Sequence, residues 1–192
     1  MTLLWNSWLF TLFAPQQRSL GDPVMQHPLH FDDLQVGDRW QSQGRTITEA
    51  DIVNFASMTG DFDPLHVDHE FAAQTPFRKP IAHGLLGLAW LAGLSSKCPF
   101  VKTDAFVSIS DWEFHKPMFV GDTVHVVTEV QSLEARGRRR GLVTWHRKLV
   151  NQVGEVVQSG NLETLVAAAA NRDRARPSIP TIQYPKSTND AA

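Results

Sequence analysis

His83-Gly-Leu-Leu-Gly-Leu-Ala-Trp-Leu-Ala-Gly-Leu94 is the run on which the fold turns. Its length and continuous apolarity predict a helix with no polar face, and such a helix has to be covered by other structure. Gly84, Gly87 and Gly93 permit close approach of sheet backbone, at some cost in helix propensity. Four strand-like runs follow it. Ala105–Phe114 alternates, with Phe106, Trp112 and Phe114 as its bulky members. Thr123–Leu133 is β-branched through Val124, Val126 and Val130, and Gly141–Asn151 and Val156–Ala167 come after it. Arg136-Gly137-Arg138-Arg139-Arg140 and Asn151-Gln152-Val153-Gly154 supply tight turns between them. Consecutive hairpins predict an antiparallel sheet, and one apolar helix ahead of them predicts that the sheet curls around it. The fold class expected is α+β with segregated elements.

Upstream, Arg39–Ile47 reads as a first strand. Thr48 offers an N-cap with Asp51 three residues on, an acidic variant of the capping box. Ile52, Phe55, Ala56 and Thr59 lie at helical spacing, with Val53 and Met58 widening the face. Gly60 is placed to end this helix in a left-handed cap, so the helix stops directly before Asp61. Asp61-Phe-Asp-Pro-Leu-His66 then reads as a loop, stiffened by Pro64. Asp68 can cap a short helix through about Ala73.

The chain has 192 residues, 42% hydrophobic and 20% charged, which suits one folded domain. Residues 31–168 are read as that domain, 1–30 as an N-terminal extension and 169–192 as a loose tail with three prolines. The apolar run Met1–Ala14 has no basic segment before it and is too short to span a bilayer. It reads as a docking segment, a weak targeting segment, or translation upstream of a start at Met25. A formal charge of −2 gives no drive toward nucleic acid or anionic membrane. A single cysteine, Cys98, forms no internal disulfide, and a cytoplasmic location is expected.

Asp61 and His66 are the residues whose chemistry stands out. An acid and an imidazole held on one short segment can share a water and pass protons both ways, and histidine titrates near neutrality. On spacing alone, a capping aspartate and a loop histidine making structural hydrogen bonds is the favoured reading. D-x-x-x-x-H is weak alone.

The longer string is more specific. Thr48-Glu-Ala-Asp-Ile-Val-Asn-Phe-Ala-Ser-Met-Thr-Gly-Asp61-Phe-Asp-Pro-Leu-His66-Val-Asp68, then Phe77, then Ile81-Ala-His83-Gly84-Leu85-Leu86, closely resembles the MaoC-like dehydratase family of R-specific enoyl-CoA hydratases. Phe114-His-Lys-Pro-Met-Phe-Val-Gly-Asp122-Thr resembles the family's P-x-x-x-G-D turn. The likeness runs from about Phe31 to Ala167 and implies a hot-dog fold, an antiparallel sheet curled around one long apolar helix. It implies reversible R-specific hydration of trans-2-enoyl-CoA thioesters to 3-hydroxyacyl-CoA. Asp61 and His66 match the family's acid/base pair. Gly84 matches the position whose amide holds the thioester oxygen. A helix N-terminus suits that task, because its N–H groups are unpaired and carry partial positive charge. His83 is read as a structural support for that turn. The family usually has Asn where this chain has Asp63, so Asp63 is expected to point outward or find a donor.

No cofactor is expected, coenzyme A entering only as part of the substrate. The eight histidines form no H-E-x-x-H or Cys/His motif, so no metal is expected. Arg136–Arg140 reads as a solvated turn ahead of a site for coenzyme A phosphates, and no nucleic-acid role is expected. An acyl-CoA thioesterase and a non-catalytic acyl-thioester binder are the competing readings, since fold alone does not decide function. The resemblance implies at least a homodimer, without stable membrane insertion. Trp90, Trp112 and Phe114 are expected in the core ahead of a substrate pocket.

Overall fold

The structure, a computed structural model, describes residues 27–169. Most of the N-terminal extension and all but the first residue of the C-terminal tail read from the sequence lie outside the described residues.

Helix α1 (Glu49–Thr59) begins as its cap predicts. Asp51 N–H donates to Thr48 Oγ1 at 3.3 Å, and Thr48 N–H donates to Asp51 Oδ2 at 2.9 Å. Arg45 Nη2 reaches Asp51 Oδ1 at 2.7 Å. Burial pushes the Asp51 carboxyl up, but the hydrogen bonds from Thr48 and the Arg45 guanidinium outweigh it and hold it below its ordinary value. Gly60 closes the helix at φ 79°, a left-handed conformation that glycine adopts without a Cβ penalty. Ile52, Phe55 and Ala56 face inward, whereas Val53 and Met58 are exposed, so the buried stripe is narrower than its apolar residues suggest.

Asp63 caps the four-residue helix α2 (Pro64–Val67), its Oδ1 accepting from Leu65 N–H at 2.9 Å. His66 therefore sits in a helical turn and not in the loop expected from sequence. Pro64 occupies the first helical position, where its missing N–H costs nothing. Asp68 caps α3 (His69–Ala73) by accepting from Phe71 N–H at 2.9 Å. The apolar run forms α4 (Gly84–Ser95).

The first strand expected over Arg39–Ile47 is two short pieces, β1 (Arg39–Gln41) and β2 (Arg45–Thr46). Between them the Ser42 hydroxyl enters the ladder and accepts from Val126 N–H at 2.9 Å. The long strands are β3 (Thr103–Phe114), β4 (Thr123–Ala135), β5 (Arg140–Val150) and β6 (Val156–Ala167). All pair antiparallel in the order β1-β4-β5-β6-β3, and β2 joins β4 beyond β1. Burial alternates residue by residue through the first part of β4 and through β5 and β6, as in a sheet with one face covered.

The architecture is α+β and hot-dog-like, but the picture of a sheet curled around one long apolar helix is corrected. The sheet is open, with β1 and β3 at its ends. Helical residues are divided among short helices, and α4 itself has 12 residues. Leu86, Gly87, Trp90 and Leu91 of α4 are buried, while Leu85, Ala89, Ala92 and Gly93 are exposed. Apolarity on every side shows what each face of a helix prefers. It does not show that one chain supplies the cover for all of them, and here only the sheet side is covered.

Two clusters fill the covered face. Leu86, Trp90 and Leu91 of α4 pack with Ile52 of α1 and with Val126, Leu149 and Leu162 of the sheet. Toward the other end, Val130, Val143, Trp145 and Val166 pack under Leu34 and the ring of Phe31. The Trp145 indole N–H donates to Thr164 Oγ1 at 2.8 Å, and Trp40 meets Trp145 edge-on at 6.3 Å between centroids. Half-buried Cys98 lies 3.0 Å through Sγ from the Gln41 carbonyl, and burial pushes its thiol up. No helix among the described residues is long and apolar enough to cross a membrane.

Candidate active site

Three segments converge at the start of α4. The first is the α1–α2 junction with Asp61, the second is α2 with His66, and the third is Ile81-Ala82-His83-Gly84. They are tied by His66 Nδ1, which lies 2.7 Å from the Ile81 carbonyl oxygen, and by His83 Nε2, 2.9 Å from the Asp61 carbonyl oxygen. A carbonyl only accepts, so both ring nitrogens donate. In its neutral form His66 then keeps its lone pair on Nε2.

The His66 and His83 rings stack with centroids 3.8 Å apart, and Phe55 packs against His83 at 5.1 Å. His83 is buried, and its Nδ1 has no hydrogen-bond partner among the described residues. Its Nε2 also lies 3.9 Å from Asp61 Oδ2. The Asp61 side chain is 53% exposed, so its carboxylate faces outward over the histidine stack. One donor atom from each of Asp61, His66 and His83 lies within 4.8 Å of the others. This grouping by composition resembles a metal-ligand set. Each ring has one nitrogen held by a backbone carbonyl, which fixes its orientation and leaves the other nitrogen to accept a proton.

Asp61 and His66 are thus brought together as the sequence suggests, and Gly84 opens α4 beside them. The first-turn amides of a helix have no intrahelical acceptor. The ring of Phe114 lies over this turn: a Cβ on Gly84 would come within 2.8 Å of Phe114 Cε1. Phe114 is 54% exposed, against the expectation that it belongs to the core, whereas Trp90 is buried and Trp112 packs against the core cluster.

Gln158 was not singled out from sequence, where it is one polar residue in a strand run. It is 1% exposed, and its Nε2 donates to the Gly84 carbonyl at 2.9 Å. It fits because Gly87 leaves room: a Cβ there would stand 2.2 Å from Gln158 Nε2 and 2.5 Å from Met118 Cε. Gly87→Ala should therefore cost about 1–3 kcal/mol in unfolding free energy through overpacking. Adding Gln158→Ala should return part of that loss. A denaturant double-mutant cycle checks it, and strictly additive losses would refute the contact as the cause.

The architecture sets the class first. The chain aligns with the X-ray structure of a monoamine oxidase regulatory protein from Archaeoglobus fulgius at TM-score 0.69 and 36% identity, covering 74% of this chain and 96% of that one. It is 32% identical to an (R)-specific enoyl-CoA hydratase of Aeromonas caviae, over 66% of this chain and 91% of that protein. It is 36% identical to a 3-hydroxybutyryl-CoA dehydratase of Methylorubrum extorquens, over 59% of this chain and 71% of that protein. The MaoC like domain matches residues 33–152. The chain belongs to the MaoC-like dehydratase / R-specific enoyl-CoA hydratase family of lyases.

Proposed function

We propose that Asp61 and His66 are the acid–base pair, and Gly84 the oxyanion donor, of an R-specific enoyl-CoA hydratase. The observation that carries the reading is the convergence of an outward carboxylate, an imidazole with its lone pair on Nε2, and the first turn of α4. An ionised Asp61 and a neutral His66 Nε2 both accept, so one water can donate to both and turn its oxygen toward the substrate. That oxygen bonds to the β-carbon. One water proton is delivered through the pair to the α-carbon on the same face, and the negative charge passes through the thioester oxygen. The Gly84 N–H meets that oxygen, a contact of a kind that contributes about 3–4 kcal/mol to a transition state. Dehydration of the 3-hydroxyacyl thioester follows the same path backward.

Substrate is an acyl-CoA thioester, and the catalytic unit is residues 31–168, flanked by 1–30 and 169–192. The unit works as a homodimer in the cytoplasm. Support for pairing comes from β3, an end strand that exposes Phe106, Val107, Ile109 and Phe114, and from the uncovered face of α4.

The test follows enoyl absorbance with crotonyl-CoA and longer trans-2-enoyl-CoA thioesters, with parallel detection of free thiol. Loss of the enoyl band, a 3R product and no thiol are expected. Thiol release without hydration would replace the reading with thioester hydrolysis, and neither signal would reduce the chain to a binder.

A further inference from the structure

On the helix side of the sheet one rung differs from its neighbours. Thr128 of β4 pairs with Arg147 of β5, and Arg147 pairs with Gly160 of β6. Trp112 of β3 lies over Gly160, where a Cβ would meet its Cε3 at 2.5 Å. On β4 and β5 the flanking residues are apolar, Val126 and Leu149 on one side, Val130 and Trp145 on the other, while on β6 Gly160 lies between Gln158 and Leu162. Within this rung Thr128 Oγ1, Arg147 Nε and Trp112 Nε1 are all buried without a hydrogen-bond partner among the described residues.

Arg147 is 8% exposed, and no ion pair among the described residues includes it. Burial pulls its pKa down to about 10, which leaves it a cation at neutral pH. The Trp145 ring, 5.6 Å from Arg147 Cζ, offsets part of the desolvation but accepts no hydrogen bond from Nε. A buried cation with no counter-charge is costly to keep. Two of the rung's three unpartnered atoms only donate, and the hydroxyl can donate as well, so they outnumber the one unpartnered acceptor beside them, Gln158 Oε1. Such a set is chemically matched to an anion.

Its position suggests which anion. Gln158, which holds the Gly84 carbonyl, lies two residues before Gly160 on the same buried face of β6. The rung is therefore about 7 Å along the strand from the Gln158 anchor of the thioester end. We propose that Arg147, Trp112 and Thr128 form a receptor for a carboxylate at the far end of a short acyl chain, so that the preferred substrates are thioesters of dicarboxylic acids. This inference rests on the hydratase reading for its substrate, but not for its anion.

Two measurements test it. The first compares kcat/KM for a trans-2-enoyl-CoA of roughly five to seven carbons ending in a carboxylate, a length matched to that ~7 Å step, with kcat/KM for its methyl ester. Wild type should favour the acid by on the order of tenfold or more, and Arg147→Met should bring the ratio near one whatever the absolute rates. Trp112→Phe, which keeps an aromatic side chain and removes one donor, should lower the ratio part of the way and serves if R147M does not fold. The second measures thermal unfolding with free glutarate or adipate, which should raise Tm of wild type and not of R147M or, in its place, less for W112F.

A wild-type ratio near one, or a ratio unchanged in the variants, overturns the acyl-end receptor and marks Arg147 as a packing residue. Turnover of crotonyl-CoA beside such a ratio leaves the hydratase reading intact. If wild type turns over no thioester, the hydratase reading fails and the acyl-end receptor with it, and the dicarboxylate shift decides whether the rung binds an anion at all.

Discussion

Asp61→Asn and His66→Ala will each lower the rate of crotonyl-CoA hydration by about 10²–10⁴-fold while the protein stays folded. The geometry explains why both losses should be large and why that of Asp61→Asn is not a folding defect. Asp61 places a half-exposed carboxylate over the histidine stack, and its structural hydrogen bond to His83 is made through its backbone carbonyl, which Asn preserves. Asn keeps the shape but gives up the charge and the proton acceptor. His66 is only partly buried, yet its Nδ1 ties α2 to Ile81 at 2.7 Å, so Ala removes a tether as well as a base. His66→Asn, whose Nδ2 can take the place of Nδ1 and donate to the same carbonyl, separates the two effects. It should recover Tm and not rate. The measurement is initial rate by enoyl absorbance beside far-UV circular dichroism and Tm. A variant that keeps wild-type rate would remove that residue from the chemistry.

Trp145→Ala should be the most damaging single change to stability, at about 3–5 kcal/mol. Trp145 is 1% exposed and is the largest fully buried side chain among the described residues. Removing it leaves a cavity between Val130, Val143 and Val166, strips Trp40 of its edge contact and leaves Thr164 Oγ1 without its indole donor. A loss of this size corresponds to roughly a 10 °C drop in Tm for a domain of this length. Thermal unfolding reads it directly, and a shift of only a few degrees would mean that the cluster under Phe31 collapses into the space.

What was legible in the sequence was local. Thr48, Asp51, Gly60 and Asp68 place helix ends through hydrogen bonds made within four residues, and each sits where its side chain predicts. The four long strands carry alternation strong enough to place them within a few residues. Three things were not legible. The helical turn at His66 comes from Asp63 acting as a cap, and Pro64 there reads equally well as a loop. The open sheet, in place of a curled one, depends on how far a sheet closes, which no local pattern encodes. Gln158 and the Thr128–Arg147–Gly160–Trp112 rung exist only through strand register. Side chains far apart in sequence become neighbours there, and a polar residue in a strand gives no hint of which rung it will share.

The environment of Cys98 has a practical consequence for anyone assaying this protein. It is the chain's one sulfhydryl, it is half shielded, it points at a main-chain oxygen, and it holds its proton above the usual range. Disulfide reagents used to detect liberated coenzyme A will therefore meet a slow, nearly silent background from the protein. A cysteine introduced in place of Val153, 70% exposed in the turn between β5 and β6, would be labelled ahead of the native one, so a fluorescent reporter can be placed there without first deleting Cys98.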